Sequence, residues 1–266
     1  MIGSHASIAW NDIKATMAKH SLVTMLGWQD VRQRYRRSAL GPFWLTISMG
    51  VMIGSIGLVF GRIFGTPMSE FLPFLATGLI VWTFISSSVN EGSSAFVSAE
   101  GIIKQLPLPL FLHVLRMLWR NVIIAAHNVI IVPLVFLAVG KAPSLIIFLS
   151  IPGFLLLSVN LAWMALTVAI LCTRYRDLPQ IIASVLQVLF YLTPIMWMPS
   201  LMPARASGLL LNYNPLFHLI EIVRAPIIGQ EPSLLNWMVA AVMAIIGWAI
   251  ALIFYGRYRH RIAYWL

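Results

Sequence analysis

Apolar runs long enough to cross a bilayer recur along this chain, and nothing else in it restricts the fold so strongly. A spanning helix needs roughly 20 mostly apolar residues. Six stretches qualify: Gly41 to Gly61, Phe71 to about Ser94, Asn121 to Gly140, a helix within Ala142 to Thr173, Leu178 to about Pro199, and about Leu234 to Gly256. Glu91 is the one charge in the second run. Lipid offers backbone groups no partner, so such runs are expected to be helices with their hydrogen bonds made internally. The expected fold is therefore an all-α integral membrane protein with six transmembrane helices. Only 10% of residues are charged, against about 25% in a soluble domain.

Basic residues set the orientation. With six spans both termini share a side, and that side holds fourteen of the 18 Lys and Arg residues. Arg62, Lys141, Arg205 and Arg224 fall on the other. Both termini are expected in the cytoplasm. The formal charge of +10 fits cytoplasmic loops facing anionic lipid, not nucleic acid. Asp12, Lys14 and Lys19 interrupt the first twenty residues, which do not read as a signal peptide.

The strongest basic cluster, "RQRYRRSALGPFW" from Arg32 to Trp44, stands directly before the first apolar run. Ser21 to Arg37 has an amphipathic pattern, with Met25, Trp28, Val31 and Tyr35 on one face and Asp30, Arg34 and Arg37 opposite. Arg32 and Arg36 flank these faces. Such a helix lies in the membrane interface, and Gly41-Pro42 breaks it. The arginines serve as a lipid anchor and topology signal, as a dock for an anionic headgroup or partner, or as both. The expected division is an N-terminal segment over 1–40, a membrane domain over 41–256 and a cytoplasmic tail over 257–266.

Other segments carry two readings each. Gly50, Gly54, Gly57 and Gly61 form a small-residue stripe, suited to packing within the chain or to a contact in a dimer. After the second span, Ser98 is a candidate N-cap and Pro107 and Pro109 stop whatever helix starts there. The resulting helix, about Ala99 to Leu106, presents Ile102, Ile103 and Leu106 beside Lys104. It is either shaped to plug into a partner or is a capped turn. In "TRYRDLPQ", Asp177 can pair with Arg174 or cap the next helix. From about 200 to 232 the chain is too apolar for a solvated loop. Helices at Ala204 to Leu211 and Leu216 to Ile227 would form a re-entrant outer hairpin, either a gate or a structural element. In it Asn214-Pro215 is a cap and Glu221 can pair with Arg224. His127 and Asn128, inside the third run, suit either a pathway or contact between helices.

No phosphate-binding loop, nucleophile elbow, metal-ligand spacing or close carboxylate pair occurs. A polyprenyl-phosphate transferase would need a carboxylate cluster, and a secondary transporter would be expected to show internal repeats. Neither is present. Energy for work would have to come from another chain.

"WQDVRQRYRRSALGPFW", "RYRDLPQI", "YLTPIMW" and "YNPLFHLIEIVRAPI" resemble, in this order, signatures of the permease subunits of type-2 ABC exporters for polysaccharides. The resemblance covers Gly27 to the C-terminus and is nearest to O-antigen exporters, with capsule and teichoic acid exporters as alternatives. It implies a homodimer bound to two cytoplasmic ATPase subunits, which hold ATP and Mg, with no cofactor or metal in this chain. The implied cargo is undecaprenyl-diphosphate-linked glycan, moved across the bacterial inner membrane. It further implies that Arg32, Arg34, Arg36 and Arg37 meet the lipid diphosphate. Glu100, Gly101, Ile102, Ile103, Lys104 and Leu106 would form a coupling helix seated in the ATPase. Asn214, Pro215, His218, Glu221 and Arg224 would belong to an outer gate. Phe43, Trp44, Trp82, Phe84, Phe190, Tyr191 and Trp197 would line the channel.

Overall fold

The computed structural model describes residues 2–34, 36, 41, 43–201, 203, 208 and 211–266, the side chains of 2–5 excepted. Every regular element among the described residues is helical. In chain order these are α1 (Ile2–Ala18), α2 (His20–Arg34), α3 (Phe43–Phe64), α4 (Met68–Ser93), α5 (Glu100–Gln105), α6 (Phe111–Val129), α7 (Ile131–Val139), α8 (Ser150–Arg174), α9 (Leu178–Leu192), α10 (Pro215–Ile227) and α11 (Leu234–Trp265). Tight 3-10 turns at Val97–Ala99 and Leu145–Leu149 lead into α5 and α8.

Among the described residues five helical units are long and apolar enough to span a membrane: α3, α4, α6 with α7, the Leu145 turn with α8, and α11. The sixth expected span is shorter than anticipated. α9 has 15 residues, about 22 Å of helix against a hydrocarbon core of about 30 Å. Its end has a local cause: Thr193 is extended, as the residue before a proline prefers, and Pro194 follows. Two other boundaries also differ. α6 begins at Phe111, not Asn121, which puts Arg116 and Arg120 on a helix. α11 continues unbroken to Trp265, so Arg257, Arg259 and Arg261 stand on its last turns and not on a separate tail.

α4 is the central element. It touches α3, α6, α7, α8, α9 and α10, and 78% of its spanning window is buried against 17% for α3. Because lipid is as apolar as leucine, close packing must hold such helices together. At Gly153 a Cβ would lie 2.1 Å from the Ile222 carbonyl oxygen, so α8 and α10 meet backbone to backbone. The expected glycine stripe is divided. Cβ atoms at Gly57 and Gly61 would collide with Leu72 and Met68, while Gly50 and Gly54 have nothing within 4 Å. Half the stripe packs inside the chain, and the other half faces outward.

α10 is an interior helix. Leu219, Ile220 and Ile222 are fully buried, and α10 packs on α4, α8 and α11. The side chain of Asn214 caps it, accepting from the Leu216 and Phe217 amides at 3.0 and 3.2 Å. The helix expected at Ala204 to Leu211 lies almost wholly outside the described residues.

Candidate functional site

At one end of the bundle α2 lies against the start of α6. Gly27 allows this approach, since a Cβ there would sit 2.8 Å from a Trp119 ring carbon. Val23, Gly27 and Val31, four residues apart, form the buried face of α2. The expected apolar stripe is thus split: Val31 points inward, while Met25 and Trp28 are 50% and 56% exposed. Tyr35 and Arg37 lie outside the described residues.

Asp30 accounts for the rotation. It does not belong to the solvated face. It accepts a bidentate pair from Arg116, with Nε at 2.7 Å, and a longer bond from Arg120 at 3.4 Å. Arg120 also donates to Glu91 at 2.7 Å. Glu91 further accepts from Arg34 at 3.0 Å and from Asn121 at 2.8 Å. The result is a ladder, Arg116–Asp30–Arg120–Glu91–Arg34, that ties α2 to α4 and α6. It borders a cavity of about 310 Å³, whose wall includes His113 and the turn through Ala95, Ser98 and Ala99.

Of the four arginines expected to meet a headgroup, Arg34 stands in this ladder, and Arg32 and Arg36 are exposed. Arg116, Arg120, Asp30, Glu91 and His113 were not among the expected site residues. One signal for them is in the sequence: Arg116 and Arg120 are four apart, hence on one face of a helix. Their acidic partners are distant in the chain and carry no such mark.

The Ala95–Ala99 turn runs straight into α5, none of whose residues is buried. Ser98 does not cap it, because no break in the helical path occurs there; its hydroxyl donates back to the Ala95 carbonyl. Lys104 donates to Glu100 at 2.7 Å. That hydrogen bond, and then the lysine charge, hold the Glu100 carboxyl below its ordinary range. Ile102 and Ile103 are half-buried, Gly101 is exposed, and Leu106 is 54% exposed. Leu106 turns to an extended backbone before Pro107.

A second polar centre had no counterpart in the expectations. Asp12 of α1, 3% exposed, accepts from the Phe111 amide, the Tyr255 hydroxyl at 2.7 Å and Arg259 at 2.7 Å. One carboxylate thereby joins α1, α6 and α11.

The remaining expected residues separate by burial. Arg224 is fully buried; it pairs with Glu221 and its guanidinium lies 4.0 Å from the centroid of the Phe74 ring. His218 is buried between Asn236 and the Asn212 carbonyl, at 2.7 and 3.1 Å. Phe84 is core, stacked on Phe154 at 4.9 Å, and Trp82 is buried against Phe190. Phe43, Trp44 and Tyr191 are exposed, and Phe190 and Trp197 half-buried. Asn128 accepts from Thr46 of α3 at 3.4 Å, an interhelical contact, which is one of the two readings of this residue. His127 bonds its own helix at Ile123. Asp177 holds the N-cap position of α9 without a capping bond, and Arg174 lies over the rings of Tyr175 and Trp265. No group of three or more His, Cys, Asp or Glu among the described residues could hold a metal ion.

Residues 21–228 match the ABC-2 type transporter family. The chain belongs to that family. The matched region contains the arginine ladder, α5 and α10. Three relatives are O-antigen export system permease proteins RfbA. One from Klebsiella pneumoniae is 24% identical, with 86% of this chain and 90% of the relative aligned. A second from that organism is 27% identical, over 75% and 77% of the two chains. One from Myxococcus xanthus is 25% identical, over 89% and 92%. This transporter chain is a multi-pass membrane protein and a transport subunit.

Proposed function

We propose that the chain is the permease subunit of an ATP-driven exporter that moves undecaprenyl-diphosphate-linked polysaccharide, of the O-antigen class, across the inner membrane. The observation that carries this reading is the alignment of nearly the whole chain with permeases named for O-antigen export. The geometry supports it. α5 is a six-residue helix with no buried residue, joined to α4 through one short turn. It stands at the basic end of the bundle, where a partner ATPase would push on it. Two copies and two ATPase subunits form the working unit, with both termini cytoplasmic and ATP and Mg on the partner chains. Six crossings are made if α9 and the chain after it complete the fifth, with the 200–232 segment re-entrant on the outer side. α2 lies in the inner interface, where Arg32, Arg34, Arg36 and Arg37 face the lipid diphosphate.

Deleting the gene should abolish surface polysaccharide and leave lipid-linked glycan in the cytoplasm, and the wild-type copy should restore export. Affinity purification of the restoring copy should bring down an ATPase with a phosphate-binding loop. Normal surface polysaccharide in the deletion strain would end this reading.

A further inference from the structure

The geometry points to the cavity between α2, α4 and α6 as a binding site for a phosphate-class oxyanion, received by His113 and the Nε edge of Arg120. His113 is 4% exposed and lines the cavity, and neither of its ring nitrogens has a partner. A neutral imidazole presents one N–H whichever tautomer it adopts. Arg120 Nε is also buried and unpartnered, although both terminal nitrogens of the same guanidinium are engaged. His113 and Arg120 both line this cavity, and each holds a buried N–H without an acceptor, a costly state for such groups.

The carboxylates nearby do not supply it. Asp30 already accepts three bonds, two from Arg116 and one from Arg120. Glu91 also accepts three, from Arg34, Arg120 and Asn121. A carboxylate has about four acceptor positions, so little capacity remains. The cavity lining carries three guanidiniums, Arg34, Arg116 and Arg120, against two carboxylates, Asp30 and Glu91. It has a donor excess and a net positive charge.

Size and geometry select the anion. At about 310 Å³ the space is far larger than a halide needs. Donors on both α6 and the ladder favour an anion with several oxygens, as guanidinium does for phosphate. The lining also includes Ala95, Ser98 and Ala99 of the turn that feeds α5, so an occupant would touch the root of that helix. The site stands on this geometry alone. That its occupant is the diphosphate of the exported lipid rests on the exporter reading.

Titration of the purified full-length chain in neutral-lipid nanodiscs with inorganic pyrophosphate, at constant ionic strength, tests the site. Saturable binding is expected, weakened at least tenfold by His113→Phe, which keeps a ring of similar size but removes the donors. Arg62→Ala, on the last turn of α3 and outside the cavity, should leave it unchanged. A melting temperature for His113→Phe at or above wild type without ligand would show that its fold is intact. If that variant is unstable, the same comparison uses His113→Met, which also lacks an N–H donor, while His113→Gln, which retains one, should bind. Nanodiscs doped with undecaprenyl phosphate distinguish the sources. Competition with pyrophosphate is expected for a lipid headgroup, and undiminished pyrophosphate binding for a site that takes the free anion; either outcome supports an oxyanion site. Absence of saturation, or saturation unaffected by His113→Phe, would overturn it. Export by the same protein, followed in cells, reports on the exporter reading separately.

Discussion

Arg120 holds carboxylates from two different helices, and this sharing sets what substitutions nearby should do. Asp30 sits between Arg116 and Arg120 with a side chain 11% exposed. Removing one member of a buried pair leaves the other uncompensated, typically at a cost of about 3–5 kcal/mol. Asp30→Asn should therefore lower the melting temperature of the purified protein sharply. Asp30→Asn combined with Arg116→Gln should lower it by less than the sum of the single changes, because no charge is then left alone. Additive losses would mean that the pair is only a surface contact. A second test concerns the basic cluster. Lysine at Arg34, Arg36 and Arg37 preserves charge and hence topology, but loses the planar fork. A charge-assisted contact contributes about 1.5–3 kcal/mol, so losing one should weaken substrate engagement by roughly tenfold or more. Surface polysaccharide and cytoplasmic lipid-linked glycan in cells carrying the triple variant measure this. Wild-type export would leave these arginines as an anchor alone.

At the scale of elements, α5 gives the most direct prediction. Glu100→Lys should uncouple ATP hydrolysis from export while leaving insertion and folding intact, since the Glu100 side chain is 41% exposed. Full transport with normal ATPase stimulation would reduce α5 to a turn. The end of this helix was legible in the sequence because Pro107 and Pro109 act locally. The long apolar runs of α3, α4, α8 and α11 were legible for the same reason, since span length and composition are local properties. The inward face of α2 was not. Asp30 and Arg116 are 86 positions apart, and the pairing that turns α2 exists only after α6 has docked. Asp12 and Arg259 are 247 positions apart, so the fastening of α1 to α11 left no trace in either segment. The cavity is unreadable for the same reason, being bounded by three elements that meet only in the fold.

In the whole molecule one chain fills its own centre. α4 is enclosed, and Trp82 and Phe84 are buried in packing. On the proposed exporter reading, a passage for a polymer would lie where two copies meet, and α9 is the candidate for its lining. At 15 residues it is too short to cross alone, and the non-helical chain after Leu192 needs protein or water around it at membrane depth. α3 offers a second outward face with Phe43, Trp44, Ile47 and Val51 exposed, and with Gly50 and Gly54 open to a close neighbour. A two-fold dimer joined through α3 and α9 would shield both. Cysteine cross-linking in native membranes can decide this, because Cys172, the chain's single cysteine, is buried and replaceable by alanine. In that background Gly50→Cys and Val185→Cys should give disulfide-linked dimers. Ile245→Cys on α11, 71% exposed and expected to face lipid, should not. Equal cross-linking at all three positions would indicate random collision. Cross-linking at Ile245 alone would move the passage to the opposite side of the bundle and leave α9 without its shield.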